Sequence, residues 1–182
     1  MSTDTKWVID AAHSTIAFKI KHLMISNVKG VFKDYDASIY TTGSDFLTAE
    51  IDFWMNPASI DTGDAKRDGH LTSADFFDVE NFKEITFKTN TIEKAGEGDN
   101  YTVWGDLTIK GITKRIKLEV EYNGIVKDPW GIEKAGFAIL GKINRKDWNL
   151  HWNTVLEAGG VLVSEEVKLE CEIELTKAAV DV

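Results

Sequence analysis

Apolar and polar residues alternate along most of this chain. Between Ser14 and Lys21, the apolar residues Ile16, Phe18 and Ile20 occupy every second position. A period of two is the pattern of a β-strand with one buried face. The same alternation predicts further strands over residues 35–41, 47–55, 84–92, 101–110, 116–122, 135–143 and 161–176. The sequence therefore predicts an all-β protein.

Short turn signals separate these strands, among them Thr42-Gly43-Ser44-Asp45 and residues 96–100. Residues 28–41 are interpreted as one strand that bends at Gly30. Amphipathic strands joined by short turns form antiparallel sheets, and closing such a sheet into a barrel removes its edges. About eight strands enclose room for one small ligand. A two-sheet sandwich fits the periodicity almost as well.

The segment Arg67–Asp78 departs from the strand pattern, because it is charged and ends in the apolar pair Phe76-Phe77. We expect a short helix near residues 64–75, capped by Asp61, Thr62 or Asp64. Short helices and loops on a rigid sheet tend to carry function. The alternative is an ordinary capped helix with the two Phe side chains in the core.

Composition narrows the possible partners. The 182-residue chain suits a single domain spanning 1–182. Its net charge of −9 argues against nucleic acid and against retention on an anionic membrane by charge alone. Transient contact with a membrane is compatible with this charge. The single cysteine, Cys171, sits in an alternating strand and is expected to be a small buried residue.

The first residues, Met1–Lys6, lack a basic segment followed by an apolar run. We therefore expect no signal peptide and a cytoplasmic protein, or a periplasmic one if a signal has been removed. No apolar stretch has the length needed to span a bilayer.

Several motifs, in this order along the chain, resemble the YceI-like family of lipocalin-like, polyisoprenoid-binding proteins. They are Trp7–Ser14 with its Asp-x-x-His-Ser start, Phe18 and His22, Gly30-Val31-Phe32, the segment 67–78, Ile85-Thr86-Phe87, Gly105–Thr113 and Asn144–Trp148. The resemblance implies an eight-stranded antiparallel barrel with a long apolar pore. It also implies a ligand with an isoprenoid tail, such as a polyprenyl phosphate or an isoprenoid quinone, no other cofactor, and a homodimer.

Under this interpretation, the tail would be held by inward-facing apolar residues, since each buried methylene contributes about 0.8 kcal/mol. The candidates are Phe18, Ile20, Phe32, Phe53, Phe76, Phe87 and Leu107. In a barrel without a cavity the same residues would simply fill the core. Polar residues at the mouth would select the head group. The candidates are His13, His22, Arg67, Asp68, His70 and Arg145, although Arg67 with Asp68, or Arg145 with Asp147, would serve equally well as structural ion pairs.

Two other functions remain open. The four His and neighbouring Asp residues would allow a metal-dependent enzyme. However, no His-x-His, His-Glu-x-x-His or zinc-type Cys/His spacing is present, so we expect no metal site and no catalysis. A stress-related scaffold or interaction protein with a packed core is the other alternative, and exposed Trp130, Trp148 or Trp152 would favour it.

Overall fold

A computed structural model describes residues 4–153 and 162–178. The strands are β1 (Asp4–Ile9), β2 (Thr15–His22), β3 (Ser26–Phe32), β4 (Tyr35–Thr42), β5 (Asp45–Met55), β6 (Ile60–Asp61), β7 (Ile85–Lys94), β8 (Asn100–Ile109), β9 (Ile112–Lys127), β10 (Glu133–Asn144) and β11 (Val163–Lys177). The helix α1 covers Ala65–Thr72, and short 3-10 turns cover Ala11–His13, Pro57–Ser59 and Arg145–Trp148. No helix within 4–153 or 162–178 has both the length and the apolar character needed to cross a bilayer.

Eight strands form a closed ring in the order β1-β4-β5-β7-β8-β9-β10-β11, and β11 pairs with β1 to close it. Neighbouring strands are antiparallel throughout the ring. This arrangement confirms the predicted eight-stranded barrel and removes the sandwich alternative.

The long strand β11 organises the closure. Its C-terminal end pairs with β1, for example Val8 with Thr176, while its N-terminal half pairs with β2, for example Phe18 with Leu169. The strands β1 and β2 therefore follow one another along β11, separated by the turn Ala11–His13. Strands β2 and β3 form a hairpin that extends the sheet at one end of the barrel. The two-residue strand β6 pairs with the outer edge of β3.

The predicted single strand with a bend at Gly30 is wrong. Two strands, β3 and β4, are separated at Lys33 and Asp34, whose backbone N–H groups both donate to Ser59 Oγ at 3.1 Å. Gly30 lies inside β3 opposite Phe18, and a Cβ at this position would lie 2.3 Å from Cζ of that ring. Glycine at this position lets the Phe18 ring lie directly over the backbone.

The predicted inward faces agree with the structure on most strands. Along β8, for instance, Tyr101, Val103, Leu107 and Ile109 are buried. The exception lies at the start of β5. The alternation over residues 47–55 puts Leu47 on the inward face with Ile51 and Phe53, but Leu47 is exposed and Phe46 is buried. The pairing of β4 with β5 shifts between Tyr40 and Thr42, and such an irregularity reverses the side of the sheet that each residue faces.

The short helix begins where the sequence predicted it. Asp64 is its N-cap, and the Oδ1 atom accepts hydrogen bonds from the backbone N–H groups of Lys66 and Arg67 at 3.0 and 3.1 Å. These two bonds lower the pKa of the Asp64 carboxyl, because they stabilise its ionised form. The cap holds α1 across the end of the barrel where β2 and β3 turn.

Candidate functional site

A cavity of about 720 Å³ runs through the barrel, within the size range of small-molecule sites. Its wall is made almost entirely of apolar side chains from the barrel strands and α1. Eleven of the predicted site residues line it: Phe18, Ile20, His22, Phe32, Phe53, Arg67, His70, Phe76, Phe87, Leu107 and Arg145. His13 and Asp68 do not belong to its lining. The inward faces of the strands thus surround a space instead of meeting in a packed core.

An aromatic cluster fills the barrel end near the C-terminus of β11. The ring centroids of Phe46 and Phe137 lie 4.9 Å apart, those of Tyr122 and Phe137 5.3 Å, and those of Trp7 and Phe46 5.1 Å. Trp7 is fully buried, and its Nε1–H donates to Thr41 Oγ1 at 2.9 Å. Its indole is thus satisfied internally, and no charged side chain of the described residues lines this end of the cavity.

The opposite end of the cavity, which we call the mouth, is polar. It is lined by side chains of α1 and its N-cap, namely Asp64, Lys66, Arg67 and His70, and by His22 at the end of β2. The sequence interpretation missed one aromatic residue here, Trp152, whose ring meets that of His70 edge to face at 4.6 Å. Its position close behind Arg145, in a segment rich in aromatic residues, was the available signal. The mouth therefore combines cationic and aromatic groups.

Arg67 and Asp68 do not pair with each other. Arg67 donates from Nε to Thr62 Oγ1 and from Nη2 to the Thr62 carbonyl, both at 2.7 Å. Asp68 accepts from the Thr62 hydroxyl at 2.6 Å and from its backbone N–H at 3.0 Å. Both side chains thus tie α1 to the segment that precedes it. The predicted ion pair is replaced by a shared hydrogen-bond partner, and Asp68 shapes the mouth from outside the cavity.

Arg145 is the most deeply buried charged residue of the mouth, at 2% exposure. Its guanidinium donates to backbone carbonyls, those of Ser164 (2.9 Å), Leu150 (2.6 Å), Trp152 (2.9 Å) and Val163 (3.4 Å). The suggested ion pair with Asp147 is therefore absent. Burial lowers the pKa of Arg145, although the negative charge of Glu165 acts in the opposite direction. These bonds hold the segments 150–152 and 163–164, which we call the mouth loop, and the guanidinium places a positive charge beside the cavity.

His13 lies in a separate polar cluster on the barrel surface. Its Nδ1 lies 2.8 Å from Asp10 Oδ2 and 3.3 Å from Glu174 Oε2, and one ligand atom from each of the three residues falls within 4.8 Å of the others. This spacing would suit a metal ion, but the Lys134 ammonium is already 3.1 Å from Asp10 Oδ2. The hydrogen bonds from His13 and then Lys134 lower the pKa of Asp10. We interpret this cluster as a hydrogen-bonded brace for the turn Ala11–His13, in which His13 and Lys134 both contact the Asp10 carboxylate.

Cys171 lines the middle of the cavity, and burial raises the pKa of its thiol to about 11. A thiol of this kind is neutral and poorly nucleophilic at physiological pH. Cys171 lies in the barrel interior as a small residue of the cavity wall, but it is half-buried and not fully buried as expected.

The ring of strands and its apolar cavity with one polar mouth define a lipocalin-like barrel of the ligand-binding kind. The model of the YceI-like domain matches residues 7–175, and the chain belongs to this family. A UPF0312 protein of Staphylococcus aureus strain MSSA476 is 40% identical over 173 residues, which are 94% of this chain and 98% of the relative.

Solved structures agree with this assignment. A YceI protein from Campylobacter jejuni is 36% identical, with a TM-score of 0.75 over 93% of this chain and 96% of that one. A polyisoprenoid binding domain from Saccharophagus degradans is 13% identical, with a TM-score of 0.67 over 94% and 98% of the two chains, and it shares the fold.

Proposed function

We propose that this protein binds a long-chain isoprenoid amphiphile, such as a polyprenyl phosphate or an isoprenoid quinone. The tail would occupy the barrel and the polar end would lie at the mouth. The observation that carries the proposal is the apolar cavity inside a closed barrel, whose charged lining residues lie at one end. A hydrocarbon chain gains about 0.8 kcal/mol for each methylene that it buries in such a space.

The chemistry of the mouth supports a polar or anionic head group. Arg145 donates to carbonyls and forms no ion pair with a carboxylate of the described residues, so its charge is offset only in part, by the more distant Glu165. Arg67 and His70 line the same region. Guanidinium and imidazole groups can both donate to phosphate or quinone oxygens. The description of the Saccharophagus degradans neighbour as a polyisoprenoid binding domain agrees with this ligand class.

Family membership favours a binding protein over an enzyme. We propose storage, transport or sequestration of the lipid as its role, with the lipid as its only bound cofactor. Formation of a homodimer, transient contact with a membrane and a cytoplasmic location stay predictions.

Native mass spectrometry of the purified protein, followed by organic extraction, tests the proposal. We expect a co-purifying mass with isoprene-unit spacing, or uptake of added polyprenyl phosphate or quinone by empty protein. Phe18→Asp places a charge in the cavity wall and should abolish retention. Leu140→Asp places the same charge on the outer face of β10, where Leu140 is exposed, and should retain lipid normally.

If the folded Phe18→Asp protein retains lipid like the Leu140→Asp control, the assignment of the cavity is wrong. If the parent protein neither carries nor takes up any of these lipids, the interaction or scaffold function becomes the better explanation.

A further inference from the structure

The turn between β2 and β3 exposes three consecutive apolar residues. Leu23, Met24 and Ile25 form this turn, which we call the hairpin tip, and their side chains are partly or largely exposed, Met24 at 57% and Ile25 at 85%. Single exposed apolar residues are ordinary on protein surfaces, but a contiguous group is more typical of a contact site.

The backbone of the hairpin tip gives no reason for these residue types. Leu23 and Met24 both have positive φ, 54° and 61°, and the Ile25 N–H donates to the His22 carbonyl at 3.2 Å. Tight turns with two left-handed central residues favour Asn and Gly, which adopt this conformation at little cost. Leu and Met are disfavoured there, so their presence points to a role for their side chains outside the fold.

The hairpin that carries this tip is cationic in an acidic protein. Thr15–Phe32 contains three Lys and one His but no Asp or Glu, whereas the whole chain has a net charge of −9. Lys19 pairs with Glu170 of β11 at 3.0 Å. Lys21 and Lys29 form no ion pair with any residue in the described part of the chain. The hairpin thus presents exposed apolar side chains at its tip and, next to them, two lysines without an ion-pair partner among the described residues.

The hairpin tip adjoins the mouth of the cavity. His22 and Val28, on either side of the tip, line the cavity. The Leu23 N–H donates to the carbonyl of Leu162 at 2.9 Å, and Leu162 lines the cavity as well. A surface that contacts the tip would therefore also face the opening through which a ligand passes.

We infer that the hairpin tip inserts into the interfacial region of an anionic phospholipid bilayer and sets the mouth against the membrane. Leu23, Met24 and Ile25 enter the boundary between head groups and acyl chains, while Lys21 and Lys29 contact anionic head groups. The use of this docking for collecting or delivering cargo rests on the proposed lipid-binding function, but the docking itself does not.

A second exposed apolar group gives a matched control. Trp130, at 83% exposure, lies between β9 and β10, at the barrel end where Glu133 flanks Lys177. The hairpin tip lies at the other end of β11, a 15-residue strand that would measure about 50 Å if fully extended. Non-specific adsorption of exposed apolar residues to the membrane would use Trp130, because Trp is the residue type that favours membrane interfaces.

Vesicle flotation with mixed phosphatidylcholine and phosphatidylglycerol tests the inference. We expect the parent protein and Trp130→Ser to float equally. Ile25→Ser should bind about tenfold more weakly, as should the double variant Leu23→Asn with Met24→Gly. Because Asn-Gly suits the left-handed turn, the double variant should unfold at the same or a higher temperature. Binding should also fall with added salt and on vesicles of phosphatidylcholine alone.

Flotation of both tip variants at parental levels, or a loss confined to Trp130→Ser, would overturn the inference. Equal binding to neutral vesicles would overturn the role of the lysines. Binding of fluorescent farnesyl phosphate in solution separates the two proposals, because the tip variants should keep it. If no variant binds this probe but only the tip variants lose flotation, docking stands and the cavity ligand is wrong.

Discussion

Replacing Arg145 by Met should destabilise the protein more than any other single change at the mouth. Met keeps much of the aliphatic stem but removes the guanidinium and all of its hydrogen bonds. Backbone carbonyls of Leu150, Trp152 and Ser164, bonded at 2.6–2.9 Å, lose their donor. Leaving a buried acceptor unpaired costs about 1–3 kcal/mol.

The three shorter bonds would sum to roughly 3–9 kcal/mol if all three carbonyls stayed dry. Removal of the buried guanidinium offsets part of this loss, because its charge no longer has to be kept out of water. The free energy of unfolding should therefore fall by about 3–5 kcal/mol. Arg145→Lys should lose nearly as much, since an ammonium cannot match the planar fork that reaches several carbonyls at once.

Urea denaturation followed by circular dichroism gives the measurement, and Arg67→Met is the control. Arg67 also makes two short bonds, but both go to Thr62 at the solvent-accessible rim of the mouth, so its loss should cost about 1 kcal/mol or less. A change below about 1 kcal/mol for Arg145→Met would show that the carbonyls find other partners. The assignment of Arg145 as the brace of the mouth loop would then be refuted.

Three further changes test other parts of the fold. Gly105→Ala should cost about 1–3 kcal/mol and more than Gly30→Ala by urea denaturation. A Cβ at Gly105 lies 2.6 Å from the Lys88 carbonyl oxygen, whereas at Gly30 the close atoms belong to a ring that can swing into the cavity. Asp10→Asn should lower stability at neutral pH by about 1 kcal/mol. The pKa of Asp10 is lower in the folded protein than its unfolded value of 3.8. The ionised carboxylate therefore stabilises the fold fully above pH 3.8, and this stabilisation is lost as the pH falls through the folded-state pKa. The difference in unfolding free energy between the parent and Asp10→Asn should thus vanish in acid. Cys171 should react with iodoacetamide far more slowly in the folded than in the urea-unfolded protein. A thiol with a pKa of about 11 is only about one-thousandth ionised near pH 8. Equal reaction rates in the two states would contradict the position of Cys171 inside the barrel.

The strand pattern could be predicted because most strands keep one apolar face. Side-chain alternation identified the inward residues of β8 and β11 and most of β5. It failed at Phe46 and Leu47, because a shift in pairing changes the face without any mark in the sequence. The prediction also failed at Gly30. The glycine there makes room for an aromatic ring on another strand and does not mark a bend of its own backbone.

Most of the residues that line the cavity could be predicted, but their contacts could not. Arg67, His70 and Arg145 were candidates because cationic residues stood where the strand pattern broke. Their partners could not be inferred, because Thr62 and the carbonyls of Leu150 and Trp152 carry no charge signal. Whether inward residues enclose a cavity or a packed core depends on barrel geometry, which residue type alone does not determine.

The charged lining residues lie at one end of the cavity, and this determines which end of an amphiphile would enter first. The cationic lining residues of the described chain, such as Arg67 and Arg145, lie at the mouth. At the other end, Trp7 donates to Thr41, whose own hydroxyl donates to the Gly43 carbonyl at 2.7 Å, so neither donor is free for a head group. An anionic head group placed there would lose its hydration without gaining a cation, which costs several kcal/mol. Tail-first entry is therefore favoured, and the head group is left beside α1 and the hairpin tip.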